Sequence, residues 1–161
     1  MEALSASATR VANELRRLGI TAQVTEMPAS TRTASDAAGA VGCEIGQIVK
    51  SLVFKSRGTG GPLLVLVSGA DRVDEARLAE VAGGEVERAD ASFVRSRTGF
   101  AIGGVPPLGH SEAIPTYLDE GLLAYEVVWA AAGTPNAVFP VKPAELVRAT
   151  SATVVCVSAH G

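Results

Sequence analysis

Apolar side chains recur at Leu4, Ala8, Val11, Leu15 and Leu18, three or four positions apart, with Ser5 or Ser7 placed as a cap and Gly19 as a stop. That spacing predicts an amphipathic helix over residues 5–18 whose stripe packs on a sheet. Ile20, Ala22 and Val24 then alternate as a short strand, ended by Met27-Pro28. Thr33-x-x-Asp36 resembles a capping box ahead of Ala34, Ala37, Ala38 and Val41, and Gly42 closes that small helix. A helical turn through Cys43–Val49 delivers the chain to a strand at about Lys50–Ser56.

Further strands are expected at Leu63–Ser68, Glu85–Arg88, Phe100–Ile102, Ala113–Leu118, Tyr125–Ala131, Ala137–Val141 and Thr153–Ser158, each bounded by Gly, Pro or Asp. Gly58-Thr59-Gly60-Gly61-Pro62 between two long apolar runs reads as a hairpin connection. Asp74–Ala82, followed by Gly83-Gly84, and Pro143–Ala149, with proline at its first position, read as helices. Hairpins mixed with intervening helices predict an α+β fold with a mixed sheet rather than a parallel βαβ repeat.

Composition bounds this picture. A chain of 161 residues removes about 70% of its unfolded surface from water, enough for a self-sufficient core. Neither a repeat nor a low-complexity linker divides it, so one domain over 1–161 is expected. Cys43 and Cys156 are far apart, without a CxxC or a nearby His pair, and are expected to be buried free thiols. The first residues lack a basic stretch followed by an apolar one, and runs such as Leu63–Val67 fall well short of the ~18 residues of a membrane span; a cytoplasmic protein without membrane contact is expected. The net charge of −3 argues against a broad nucleic-acid groove and leaves room for a small basic site.

Several chemistries are excluded by inspection. The chain has no G-K dipeptide and hence no P-loop, no G-x-G-x-x-G, no G-x-S-x-G elbow and no HExxH pair. His160 reads as a solvated tail residue, whereas His110, beyond a glycine-proline loop, is either a substrate contact or a loop-surface imidazole. Two features remain. Lys50 stands among Ile48, Val49, Leu52, Val53 and Phe54, and its ammonium either serves a ligand or snorkels to water. The stretch Gly99–Gly109, with Gly103, Gly104, Val105, Pro106 and Pro107 at its centre, either presents main-chain groups to a ligand or turns a corner of the sheet. Arg95 and Arg97, just upstream, are candidate phosphate ligands or simply solvated.

IVKSLVF (Ile48–Phe54), TGFAIGGVPPLG (Thr98–Gly109), AGTP…KPAEL (Ala132–Leu146) and the preceding STRTASDAAGAVG (Ser30–Gly42) resemble, in order, the motifs of the YbaK/EbsC family. These are aminoacyl-tRNA editing domains related to the insertion domain of bacterial prolyl-tRNA synthetase and its free-standing ProX-type relatives. The resemblance covers about residues 20–155. It implies a single compact domain, a mixed β-sheet or partly open barrel with flanking helices, that hydrolyses the ester between a wrong amino acid and the 3′ end of tRNA, with tRNA-Pro a candidate.

Carried over, Lys50 and Gly103 would be the catalytic positions, the lysine holding the terminal adenosine phosphate or the aminoacyl group. The loop at Gly103, Gly104 and Val105 would position the ester through backbone atoms; apart from that carry-over, Met27, Thr31, Ile48, Pro106, His110 and Gly133 are expected to contact substrate. An aminoacyl ester is already activated, so positioning and oxyanion stabilisation serve without a side-chain nucleophile, a cofactor or a metal. The partners implied are the tRNA acceptor end and an aminoacyl-tRNA synthetase. Discrimination by one methylene yields only about 1–3 kcal/mol, which is why a second, sieving pocket is needed. An apolar lining fits a small residue such as alanine, cysteine or serine. Val24-Thr25-Glu26-Met27 and Thr134-Pro135-Asn136 depart from the family pattern where substrate choice is set. Two other readings stay open: a non-catalytic module of the same fold that binds tRNA or a synthetase, and hydrolysis of an unrelated small ester.

Overall fold

The computed structural model describes residues 4–160. Four of the five α-helices among the described residues begin at a side chain that accepts from a free main-chain N–H. Helix α1 (Ala6–Arg17) is capped by Ser5, whose hydroxyl accepts from the Ala8 N–H, and buries Ala8, Val11 and Leu15 completely. After the short strand β1 (Thr25–Glu26), helix α2 (Ala34–Val41) starts at Thr33, whose hydroxyl accepts from the Asp36 N–H, and stops at Gly42 with φ of 77°. A 3-10 turn (Ile45–Gln47) feeds the long strand β2 (Ile48–Ser56), which pairs antiparallel with β3 (Pro62–Ser68) across the expected hairpin.

Strand β4 (Asp71–Val73), helix α3 (Glu75–Ala82), strand β5 (Val86–Arg88) and helix α4 (Ala91–Thr98) come next in the chain. The second half holds β6 (Thr116–Asp119), a 3-10 turn (Glu120–Ala124), β7 (Val128–Ala131), β8 (Ala137–Val141), α5 (Pro143–Thr150), β9 (Thr153–Val155) and β10 (Ser158–His160). The fold is α+β with a mixed sheet and no closed barrel. The main sheet runs β1-β8-β7-β2-β3-β6-β9, with β5 added to β2, and β4 pairs with β10 separately.

The sheet is broken along one edge of β2. Strand β3 covers the other edge from Val49 to Lys55. The broken edge is shared: β7 pairs in parallel at Ile48 and Val49, and β5 pairs antiparallel at Phe54 to Ser56. Between them Lys50, Ser51, Leu52 and Val53 have no strand beside them on that edge. The faces of β2 divide by alternation. Val49 and Val53 join the large core under α1 with Leu64, Leu66, Val94, Phe100 and Phe139, while Phe54 joins Val65, Val67 and Leu78 under α3.

Several expectations are corrected. Phe100–Ile102 is not a strand: Gly99, with φ of 83°, turns the chain out of α4, Phe100 drops into the core, and Ile102 is left exposed with no strand edge to join. Ile20, Ala22 and Val24 lead into β1 rather than forming a strand, although Ile20 and Val24 are buried. Thr153–Ser158 breaks in two, because Asp119 accepts from the Val157 and Ser158 N–H groups and diverts the chain toward β4. The cysteines are not buried: Cys43 is half-buried, and Cys156 is exposed. Helix α4 is absent from the sequence expectation, since only Val94 and Thr98 of it are buried and it carries no apolar stripe. The reading of His160 as a solvated side chain lies outside the described residues.

Candidate functional site

A cavity of about 540 Å³ opens at the uncovered edge of β2. Lys50 is delivered there by the strand itself. Its half-buried side chain donates from Nζ to the main-chain oxygen of Asp71, the first residue of β4. Burial pulls the Lys50 ammonium below the usual lysine range; nearby Asp71 opposes that shift, and Arg88 and Arg72 add to it.

The glycine loop supplies another part of the lining. Gly103 takes φ of 100°, a conformation that L side chains rarely adopt, and lines the cavity together with Ile102 and Val105. Gly104 does not face the cavity. Its N–H donates to Ala101 O at 3.2 Å, and its carbonyl accepts from Gly133 N–H at 2.9 Å, so both groups hold the loop in place. Gly133, with φ of 97°, is pressed against Ser7 and Phe100. Behind the loop, His110 Nε2 lies 2.7 Å from Pro106 O, and its ring meets Phe100 edge-on at 6.3 Å. Burial holds the His110 imidazole below its ordinary range, a shift opposed by the Pro106 contact and reinforced by Arg10. The neutral tautomer with Nε2–H donating to Pro106 O satisfies this arrangement.

A third segment borders the cavity at Thr31. Thr31 donates from its N–H and its hydroxyl to Pro135 O, at 2.6 and 3.1 Å. Met27 donates to Asn136 O at 2.7 Å and accepts from Asn136 Nδ2 at 3.0 Å. These bonds fasten residues 27–31 to the Thr134-Pro135-Asn136 loop, which in turn grips the glycine loop.

Of the positions expected from sequence, Lys50, Gly103, Thr31, Ile48 and Val105 come together around the cavity. Gly104, Pro106, His110, Gly133 and Met27 stand one layer behind it, holding its walls. Arg95 and Arg97 are elsewhere: both lie on the last turn of α4, Arg95 exposed, Arg97 ion-paired with Glu112 at 2.8 Å and stacked over Phe93.

The sequence reading missed Arg32, Arg88 and Trp129, which also line the cavity. Arg32 is exposed and lies across the glycine loop, so close that a Cβ on Gly103 would be 2.9 Å from its Nε. Arg88 pairs with Glu75 at 3.7 Å and lies over the Phe54 ring. Arg32 sits inside the STRTASDAAGAVG stretch, which was its one available signal; Arg88 and Trp129 had none. Every charged residue of the lining is cationic. Apolar walls with a rim of three cations suit a small neutral group carried by an anion.

Comparison with known proteins places this fold in the class of small editing domains. Residues 28–149 match the family described as "Aminoacyl-tRNA editing domain". The chain belongs to that family. It is 32% identical to YwhH of Bacillus subtilis over 124 residues, 76% of this chain and 78% of the relative. It is 29% identical over 120 residues to EbsC of Enterococcus faecalis, named as a candidate Cys-tRNA(Pro)/Cys-tRNA(Cys) deacylase, covering 74% of this chain and 73% of that one. A solved structure titled as a candidate trans-editing enzyme for prolyl tRNA synthetase superposes with a TM-score of 0.92 at 51% identity, over 98% of this chain and 99% of that chain.

Proposed function

We propose that this protein is a trans-editing aminoacyl-tRNA deacylase, which hydrolyses the ester between a mischarged small amino acid and the 3′ end of tRNA. The observation that carries the reading is that Lys50 and Gly103 line one cavity whose charged lining is entirely cationic.

In this reading the terminal nucleotide enters over Arg32, and its phosphate meets the Arg32 guanidinium, with the Lys50 ammonium beneath. The aminoacyl group passes between β2 and the glycine loop into the apolar interior. Water attacks the ester carbonyl, the bond to the ribose oxygen breaks, and that oxygen leaves as the hydroxyl. Positive charge from Lys50 and main-chain dipoles at Gly103 stabilise the developing oxyanion, which is the largest contribution such a site can make to an already activated ester. His110 takes no part in proton transfer; it fixes the loop. Only the acceptor end is held, so a chain of net charge −3 needs few phosphate contacts.

The test is a panel of mischarged tRNAs, with tRNA-Pro bodies first because the named relatives point to proline decoding. Release of free alanine, cysteine or serine well above spontaneous hydrolysis is expected. Rates at the spontaneous level across the panel, with tRNA still bound, would leave a binding module in place of an enzyme. Equal cleavage of free aminoacyl esters would show that the tRNA is irrelevant.

A further inference from the structure

Ser51 follows Lys50 on β2 and faces the other side of the strand, in phase with Val49 and Val53. Its hydroxyl oxygen is buried and has no hydrogen-bond partner among the described residues. A hydroxyl cut off from water and left unpaired destabilises a fold, and alanine at the same place would remove that penalty. Such an atom calls for an explanation, and its surroundings supply one. Ser51 lines the cavity with Val49, Val53, Val94 and Val105, and it lies in the stretch of β2 that neither β7 nor β5 covers.

The main chain at Ser51 is open in the same direction. Ile48 O accepts from Gly69 N–H on the β3 side, and Val53 O accepts from Ala89 N–H on the β5 side. Strand alternation puts the N–H and C=O of Ser51 in phase with Val53, so they point into the gap. A polar side chain and two main-chain groups therefore meet the cavity at one residue.

Resting on the deacylase reading above, we propose that Ser51 is the specificity-determining residue for the bound amino acid, its hydroxyl making a hydrogen bond to the side-chain hydroxyl of a seryl group. To make that bond the hydroxyl, buried without a partner as it stands, would rotate about χ1 to another staggered well. The charged α-ammonium is the wrong occupant for this spot. Four valines would strip its water without offering a counter-charge, and the charged groups of the lining repel it. A neutral side chain enters instead. An alanyl group leaves Ser51 unpaired, whereas a seryl group satisfies it, and a site built around a hydrogen bond rejects the analogue lacking it.

The experiment compares kcat/KM for Ser-tRNA and Ala-tRNA on one tRNA body, for the wild type, Ser51→Ala and Ser51→Cys. A wild-type preference for the seryl substrate of about tenfold is expected. In Ser51→Ala the seryl-to-alanyl ratio should fall to about one, and the weak thiol donor of Ser51→Cys should give a ratio between the two. The melting temperature of Ser51→Ala should equal or exceed that of the wild type, which separates lost recognition from lost folding. Unchanged ratios in both variants, or a wild-type preference for the alanyl substrate, would overturn the role of Ser51 alone. A wild type that cleaves no substrate of the wider panel would overturn the deacylase reading, and this assignment with it.

Discussion

Gly104 and Thr134 meet main chain to main chain: a Cβ on Gly104 would lie 2.7 Å from the Thr134 carbonyl carbon and 2.8 Å from its N and Cα. Because a backbone cannot swing aside as a long side chain can, this contact fixes the spacing between the glycine loop and the Thr134-Pro135-Asn136 loop. Gly104→Ala should therefore force the two loops apart. The expected cost is about 1–3 kcal/mol of stability, as for other overpacked positions, together with a loss of deacylation larger than the loss of folded protein. Urea denaturation beside kinetics on the same samples checks it; wild-type values for both would show that the loops move freely.

Lys50→Ala should reduce kcat/KM at least ~100-fold, about 2.7 kcal/mol of transition-state stabilisation. Lys50→Met, which keeps the apolar stem, should be equally inactive yet fold with at least wild-type stability, because burial disfavours the charge it removes. Full activity in either folded variant would end the catalytic role given to this lysine.

Arg32, which crosses Gly103 at the cavity mouth, should act on binding. Arg32→Ala is expected to raise KM for charged tRNA with little change in kcat. It should also flatten the dependence of log K on log salt by about one phosphate's worth, a slope change of roughly 0.7–0.9. An unaltered salt slope would place the terminal phosphate elsewhere.

The half-buried imidazole of His110 makes the loop sensitive to acid. Its folded-state affinity for protons is depressed, so on acidification from above its ordinary value of 6.5 the unfolded chain takes up the proton first. Stability is then lost progressively as pH falls toward the folded-state value, and the loss levels off below it. His110→Asn should reduce this part of the pH dependence. Unfolding free energies of the two proteins measured between pH 7.5 and pH 5 should diverge in slope, and parallel curves would contradict the assignment.

How much of the fold and site is legible in the sequence varies with the range of the interaction. The caps at Ser5 and Thr33 and the stops at Gly19, Gly42 and Gly83 are local devices, and they appear in the folded chain where the sequence puts them. Helix α4 has such devices too, in Asp90 and Gly99, but without an apolar stripe they carry no weight. Lys50 and Gly103 stand out because a charge in an apolar run and a glycine pair before two prolines conflict with simple core building.

Arg88 and Trp129 cannot be found that way. Their place at the cavity comes from β5 and β7 reaching the same edge of β2 from opposite ends, a pairing between segments about 30 to 80 residues apart. The same distance effect separates Arg95 and Arg97 from the site, although they are neighbours of the glycine loop in sequence.

The sequence by itself determined the local elements, the lone lysine and the flexible loop, because periodicity, capping and backbone freedom act over a few residues. Only the tertiary structure decided that β2 stays uncovered between Val49 and Phe54, that Gly104 faces Thr134 rather than substrate, and that Ser51 has no hydrogen-bond partner among the described residues. Those outcomes depend on which strand edges are filled and which loops collide, and the chain settles them only when distant segments pack together.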